Sequence, residues 1–387
     1  MPFGSSAIQP QAPPSPKTFW QGAVGVFADN PVLGTGPDTF YAAYGPHRPP
    51  GDGAAHGLFE PPDKPHNVYL EYAADTGVLG LGAYLALIGF AAAFAVSRLR
   101  RLQGPERLLL GAFLAALAAY LAQAAVSLDV FPLPLLAWAS IGGIAAFADP
   151  GCADMSDPAK TPTRGKRHGM RAVGVAVIAL ASFGVVPLLA DHAAKLGQHV
   201  GNLGRYAAAE RHFSRAIALD GNEANYTYLS GIAKENLGDA IGDRDRKRAL
   251  LDEALTRYRR AQRLMPYNPF FQLAFARAST TLAGLDPQRF AAAERAWRAF
   301  VDHDPTNWEV RALHARMLNA WADAGGPISA RLEAALEQRT VTKMRPRDRE
   351  AWLELRQTYL TLGKPEAARE AEQRARQLTA SPETPSG

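Results

Sequence analysis

Cysteine is almost missing: Cys152 is the only one in 387 residues. One thiol closes no intrachain disulfide and supplies no Cys-cluster zinc site. Histidine is sparse, nine in all, and no compact His-x-x-x-His spacing occurs. A metal site would have to be assembled from His47, His56, His66, Asp52, Glu60 and Asp63 without a recognisable ligand pattern. Charged residues are only 20% of the chain, and much of the net +5 sits in two short loops. No aromatic-basic stripe accompanies them, so nucleic acid is not an expected partner. The first residues, MPFGSSAIQPQAPPSPK, lack the apolar core of a signal peptide. Their Pro, Ser and Gln content predicts disorder over 1–16, and the tail 381–387 is read the same way.

What the chain has in excess is long apolar runs, at 76–97, 108–128, 131–148 and 172–190. Each is near the roughly 20 residues that cross a hydrocarbon core. A helix of a large soluble core is the alternative, but four runs in succession without a polar face argue against it. Stretches such as GVLGLGAYLALIGFAAA are rich in Gly and Ala, which suits close helix packing in lipid. Arg98, Arg100, Arg101 and Arg107 lie between the first two runs; Lys160, Arg164, Lys166, Arg167 and Arg171 precede the fourth. The connection around Asp129 carries no positive charge. The positive-inside rule therefore puts both basic loops in the cytoplasm. Residues 1–75, the Asp129 turn and everything after 190 are expected outside.

The C-terminal half is polar and rich in Ala, Arg, Glu and Leu. Ala254, Tyr258, Ala261 and Pro266 stand at offsets 0, 4, 7 and 12. The offsets recur as Ala209, Phe213, Ala216, Gly221; as Ala292, Ala296, Ala299, Asp304; as Ala334, Gln338, Val341, Pro346; and as Ala368, Glu372, Ala375, Ala380. Small residues at 0 and 7 admit a neighbouring helix, and position 12 ends the helix. The pattern resembles the second helix of a tetratricopeptide repeat. Trp352, Leu355 and Tyr359 resemble the first helix of the last unit, and AIGDRDRKR at 240–248 reads as an insertion. The fold class expected is all-α: about four transmembrane helices, then an extramembrane α-solenoid of tetratricopeptide-like helix pairs over about 195–380. Such stacks present a concave surface to protein partners.

Between the disordered start and the first run lies a polar segment, 17–75. It contains DNPVLGTGPDTF and, later, HNVYLEYAADTGVLGL. Gly34-Thr35-Gly36 alone is a weak signal: a dinucleotide fingerprint needs a preceding strand, a third glycine and a following helix. The order is informative. An aromatic-containing helix (about 18–28) is followed by Asn-Pro-x-x-Gly-x-Gly-x-x-x-Phe, a variable loop, His-Asn-x-Tyr-Leu-Glu, then Thr-Gly-Val-Leu-Gly entering a span. Over residues 17–145 this resembles the O-antigen ligase and polymerase family.

The resemblance implies glycosyl transfer at the outer face of a bacterial inner membrane, with no metal or other cofactor. The donor would be an undecaprenyl-diphosphate-linked glycan. The acceptor would be a hydroxyl on a lipid core, a polysaccharide or a protein. His66 matches the family histidine and is the expected base, since a neutral imidazole can take a hydroxyl proton near neutral pH. Asn67 would orient the imidazole or a sugar hydroxyl, and Glu71 would hold His66 in one tautomer if the helix already includes it. Gly34, Gly36 and Phe40 match the Gly-x-Gly motif and are grouped with substrate binding. Lys17, Arg48 and Lys64 are the cations available for the diphosphate, arginine being the better match in shape. Tyr69 is read as an interfacial aromatic beside the substrate. Asp38 and Asp63 read as turn residues.

The family has around ten or more spans and arginines upstream of the Gly-x-Gly motif, and neither is present here. The resemblance thus implies a C-terminal portion, as a truncated form or half of a split protein. Two other functions fit parts of the chain. One is a non-enzymatic, membrane-anchored scaffold whose repeats bind envelope proteins. The other is a transporter, against which stands the lack of a charged residue mid-span.

Overall fold

The computed structural model describes residues 16–50, 52, 62–127, 132–147, 185–266 and 268–380. Among the described residues every regular element is helical. The chain divides into two compact units, residues 1–49 with 62–178 and residues 50–61 with 179–387.

In the first unit, α1 (Pro16–Asp29) leads to a short helix α2 (Phe40–Ala43) and a 3-10 turn, Gly45–His47. Three apolar helices follow: α3 (Val68–Leu99), α4 (Gly104–Ala124) and α5 (Pro132–Ala146). Among the described residues, α3 and α4 are the two helices long and apolar enough to cross a membrane. At 15 residues α5 falls short of the run 131–148 expected to span. Of the fourth expected span, residues 172–184 lie outside the described residues.

The first span was expected from residue 76, but its helix begins eight residues earlier. Asn67 caps it, its side chain accepting the Leu70 N–H at 3.0 Å. The helix is interrupted at Gly77 (φ 63°, ψ −167°). Residues 78–99 beyond the break measure about 33 Å at 1.5 Å per residue, a bilayer core's thickness.

The three helices share one seam. Tyr84, Ile88, Ala91 and Ala95 of α3 are buried, as are Leu110, Leu117, Tyr120 and Ala124 of α4 and Ala137, Ser140 and Ile144 of α5. Small residues let the backbones approach. The buried Tyr84 hydroxyl donates to that of Tyr120 at 3.2 Å. Leu79, Phe90, Leu108, Leu136 and Trp138 are exposed, an apolar surface suited to lipid rather than water. The ends are stitched by side chains that satisfy carbonyls left over at helix termini. Asn67 Nδ2 donates to Ala125 O at 2.8 Å, and the Tyr69 hydroxyl to Leu121 O at 2.9 Å. At the opposite end, Arg98 Nε and Nη2 donate to Phe147 O at 3.1 and 2.8 Å. The start of α3 and the end of α4 therefore share one end of the bundle. The first basic loop and the end of α5 share the other.

The second unit is a row of helix pairs. Residues 185–202 form α6, followed by α7 (Tyr206–Leu219), α8 (Ala224–Ala240), α9 (Arg244–Leu264), α10 (Pro269–Leu285), α11 (Phe290–His303), α12 (Trp308–Asp323), α13 (Ile328–Met344), α14 (Arg349–Thr361) and α15 (Pro365–Ala380). Residues ahead of the expected 195 already pack into the stack. Ala190, at the end of the fourth expected span, is fully buried with Ala193 and Ala194 against Ala209 and Phe213. Four repeat units keep the expected register: Ala209, Phe213 and Ala216 are buried, as are Ala254, Tyr258 and Ala261, Ala334, Gln338 and Val341, and Ala368 and Ala375. The third unit is shifted by one residue. Its buried face is Ala293, Trp297 and Phe300, while Ala292 and Ala299 are exposed. Two large rings bury more apolar area than alanines at the repeat offsets, so they set the helix rotation. The expected insertion at 240–248 is mostly absorbed as helix: Asp243 accepts the Arg246 N–H at 2.8 Å and caps an α9 of 21 residues.

Candidate active site

The site lies in the first unit, where the Gly-x-Gly loop meets the break in α3. A helix interrupted at Gly77 leaves backbone groups without partners. The loop supplies them in both directions. Thr35 N donates to Ala74 O at 3.0 Å, and Gly36 N to Asp75 O at 2.9 Å. In return Val78 N donates to Pro31 O at 2.8 Å, and Leu79 N to Val32 O at 3.4 Å. Irregular backbone at membrane depth is tolerated where protein satisfies it in this way.

Two glycines allow the contact. Gly34 has φ 68°, and a Cβ there would stand 2.2 Å from the Asp75 carbonyl carbon. Gly77 has φ 63°, and its Cβ would stand 2.3 Å from Val32 O. Gly34 and Gly36, grouped with substrate from the motif, thus contribute backbone to a protein–protein contact. Thr39 closes the loop from within, its hydroxyl donating to Gly36 O at 2.6 Å.

A row of rings lies beneath the loop. Phe40, also grouped with substrate, is 1% exposed and packs with Ala23, Val26, Tyr44 and Ala74. Ring centroids are 5.4 Å apart for Phe40 and Tyr44, 6.4 Å for Tyr44 and Phe19 in an edge-to-face pair, and 5.6 Å for Phe19 and His66. His66 is partly exposed. Its backbone is left-handed, φ 56°. Among the described residues Asp38, φ 57°, is the one other non-glycine with positive φ. Such conformations cost roughly 1–2 kcal/mol each and persist where the surroundings enforce them. Both fall inside the two motifs.

The remaining expected residues have partners of their own. Glu71 is in the helix, but its carboxylate goes to Lys64 rather than to His66: Lys64 Nζ donates to Glu71 Oε1 at 2.5 Å, with Asp38 Oδ1 at 3.9 Å. Burial lowers the Lys64 pKa, but the Glu71 hydrogen bond and the charges of Glu71, Asp38 and Asp75 outweigh it and raise it. An ammonium so neutralised is a poor holder of a diphosphate. Asn67 is spent on the helix cap and on Ala125, and Tyr69 on Leu121, so neither reaches the imidazole through those groups. Arg48 is 4% exposed, its guanidinium carbon 5.8 Å from the Tyr44 ring centroid. Lys17 is exposed at the start of α1. His47 pairs with Asp29 at 3.0 Å. Asp75 escaped the sequence reading altogether. It is 6% exposed, and its Oδ2 accepts the Asp38 N–H at 2.9 Å. Its place two residues before Gly77 was the available signal.

Residues 17–85 match the family model described as O-Antigen ligase. No curated protein matches the chain. Among solved structures, MamA (41 to end) from Desulfovibrio magneticus RS-1 is 15% identical, covering 51% of this chain and 98% of its own, with a TM-score of 0.39. MamA of AMB-1 is 17% identical, covering 51% and 95%, with a TM-score of 0.37. YrrB, described as a TPR protein with an unusual peptide-binding site, is 17% identical, covering 49% and 86%, with a TM-score of 0.36. The repeat character of the second unit is carried by its own helix pairs. The interlocked loop, His66 and the start of α3 all fall in the stretch 17–85 that matches the O-antigen ligase family model, and a tetratricopeptide-like helical stack follows it.

Proposed function

We propose that the chain is a membrane glycosyltransferase of the O-antigen ligase type, or its C-terminal portion, with His66 as the general base. The observation that carries this reading is His66 itself: the motif histidine of the family segment, held left-handed at the mouth of a membrane-length helix. The acceptor hydroxyl gives its proton to the imidazole while its oxygen bonds to the anomeric carbon. The bond from that carbon to the carrier oxygen breaks, and the lipid diphosphate leaves with the electron pair. A site at the bilayer rim lets the polyprenyl tail stay in lipid. Lys17, Arg48 and Lys64 are the cations available to the leaving group, Lys64 also meeting Glu71. About four spans, the inner membrane and an extracytoplasmic face for residues 17–75 and the repeats complete the reading. The positive-inside rule supports that sidedness, and so does the pairing of helix ends.

The test is transfer of labelled glycan from undecaprenyl diphosphate in membranes carrying the full chain. His66→Ala is expected to lower transfer by about 100-fold or more, within the range for a lost general base. Unchanged transfer contradicts the assignment. A scaffold reading is favoured by one observation, that helix pairs fill residues 185–380. In that case, removing residues 195–387 abolishes partner capture and His66→Ala does nothing.

A further inference from the structure

We infer that Asp75 is a positioning residue for His66, acting through the Asp38 turn and the row of rings that ends on the imidazole. The inference rests on the reading of His66 given above. Asp75 Oδ2 accepts the Asp38 N–H at 2.9 Å, so the carboxylate holds the left-handed turn at Asp38, a conformation open to aspartate but not imposed by it. That turn aims the chain into α2. There Phe40 is buried against Ala74, the residue next to Asp75. Phe40 then meets Tyr44, Tyr44 meets Phe19, and Phe19 faces His66 at 5.6 Å. The path joins Asp75, in the first turns of α3, to His66, just ahead of its cap, through one side-chain-to-backbone hydrogen bond, a short run of chain and three ring contacts.

A purely structural reading of Asp75 leaves one atom unexplained. Its Oδ1 is buried and has no hydrogen-bond partner among the described residues. A buried carboxylate with one oxygen unsatisfied is costly. The loop is already held by four backbone bonds, so stability alone does not require the acid there. Control of the Asp38 turn does require an acceptor at Oδ2.

The test uses the full chain in detergent micelles with 13C-labelled histidine, the His66 ring resonance being assigned by its loss in His66→Gln. Asp75→Ala is expected to move that resonance, because Phe19 no longer faces the ring as it did. Asp75→Asn keeps an acceptor oxygen and is expected to leave it in place. Tyr44→Leu interrupts the row with Asp75 intact and is expected to move it as Asp75→Ala does, which also covers the case in which Asp75→Ala does not fold. In the transfer assay Asp75→Ala is expected to lower kcat about 10- to 100-fold, with KM for the carrier-linked donor within about twofold. A His66 resonance unmoved in Asp75→Ala or in Tyr44→Leu overturns the inference, as does one moved equally by Asp75→Asn. Transfer that survives His66→Gln overturns the assigned base instead, and the resonances still read the positioning.

Discussion

At the scale of residues, the Gly-x-Gly motif makes a close backbone contact with the break in α3. Gly34 packs on the Asp75–Thr76 backbone and Gly77 on the Val32–Leu33 backbone, both at positive φ. Gly82, by contrast, has open space around its missing Cβ and an ordinary helical backbone. Gly34→Ala is therefore expected to destabilise the first unit by at least about 2 kcal/mol, from left-handed strain plus a backbone clash. Gly82→Ala is expected to be neutral or stabilising by up to about 1 kcal/mol. Thermal unfolding in one detergent separates the two, and equal midpoints would contradict the interlock. These residues were legible as a motif, but their job was not. Gly34 meets Asp75 some forty positions along the chain, and no local pattern encodes that pairing. Glu71 is similar. A role beside His66 was conditional on the helix including it; the helix does include it, but its choice of Lys64 over His66 depends on how the loop folds back.

At the scale of elements, the apolar runs and the Ala-rich offsets were readable because a single physical effect produces each. A run without a polar face has to find lipid or a core, and small residues seven apart mark a close helix contact. Ends were less readable. The first span gains a segment, 68–76, whose polar Glu71 and Asp75 conceal that it is helix. The third repeat shows a different failure, since a small-residue offset lost to Trp297 and Phe300. Trp297 is 2% exposed, and its Nε1–H donates to Thr280 Oγ1 at 2.9 Å. Trp297→Ala is expected to cost about 3–5 kcal/mol, while Ala299→Glu on the exposed face should stay within about 0.5 kcal/mol. Urea unfolding of the repeat unit measures both. A larger loss from Ala299→Glu would restore the unshifted register.

At the scale of the molecule, an apolar unit with lipid-suited flanks and a charged helical stack share one chain. The first carries the stretch that matches the family model and the second is a tetratricopeptide-like row of helix pairs. Glycan transfer as proposed requires that His66 and the repeats face the compartment where carrier-linked glycans are displayed, with Arg98 to Arg107 on the other side. Arg98 holds the end of α5 at one end of the bundle, and Asn67 holds the end of α4 at the other. The most direct measurement is labelling of single cysteines in a Cys152→Ala background, using a maleimide that cannot cross the inner membrane. Asp63→Cys and Asn222→Cys are expected to label in cells with a permeable outer layer, and Gln103→Cys only after the inner membrane is opened. Labelling of Gln103→Cys with Asp63→Cys protected would put His66 in the cytosol, away from its substrate, and contradict the account.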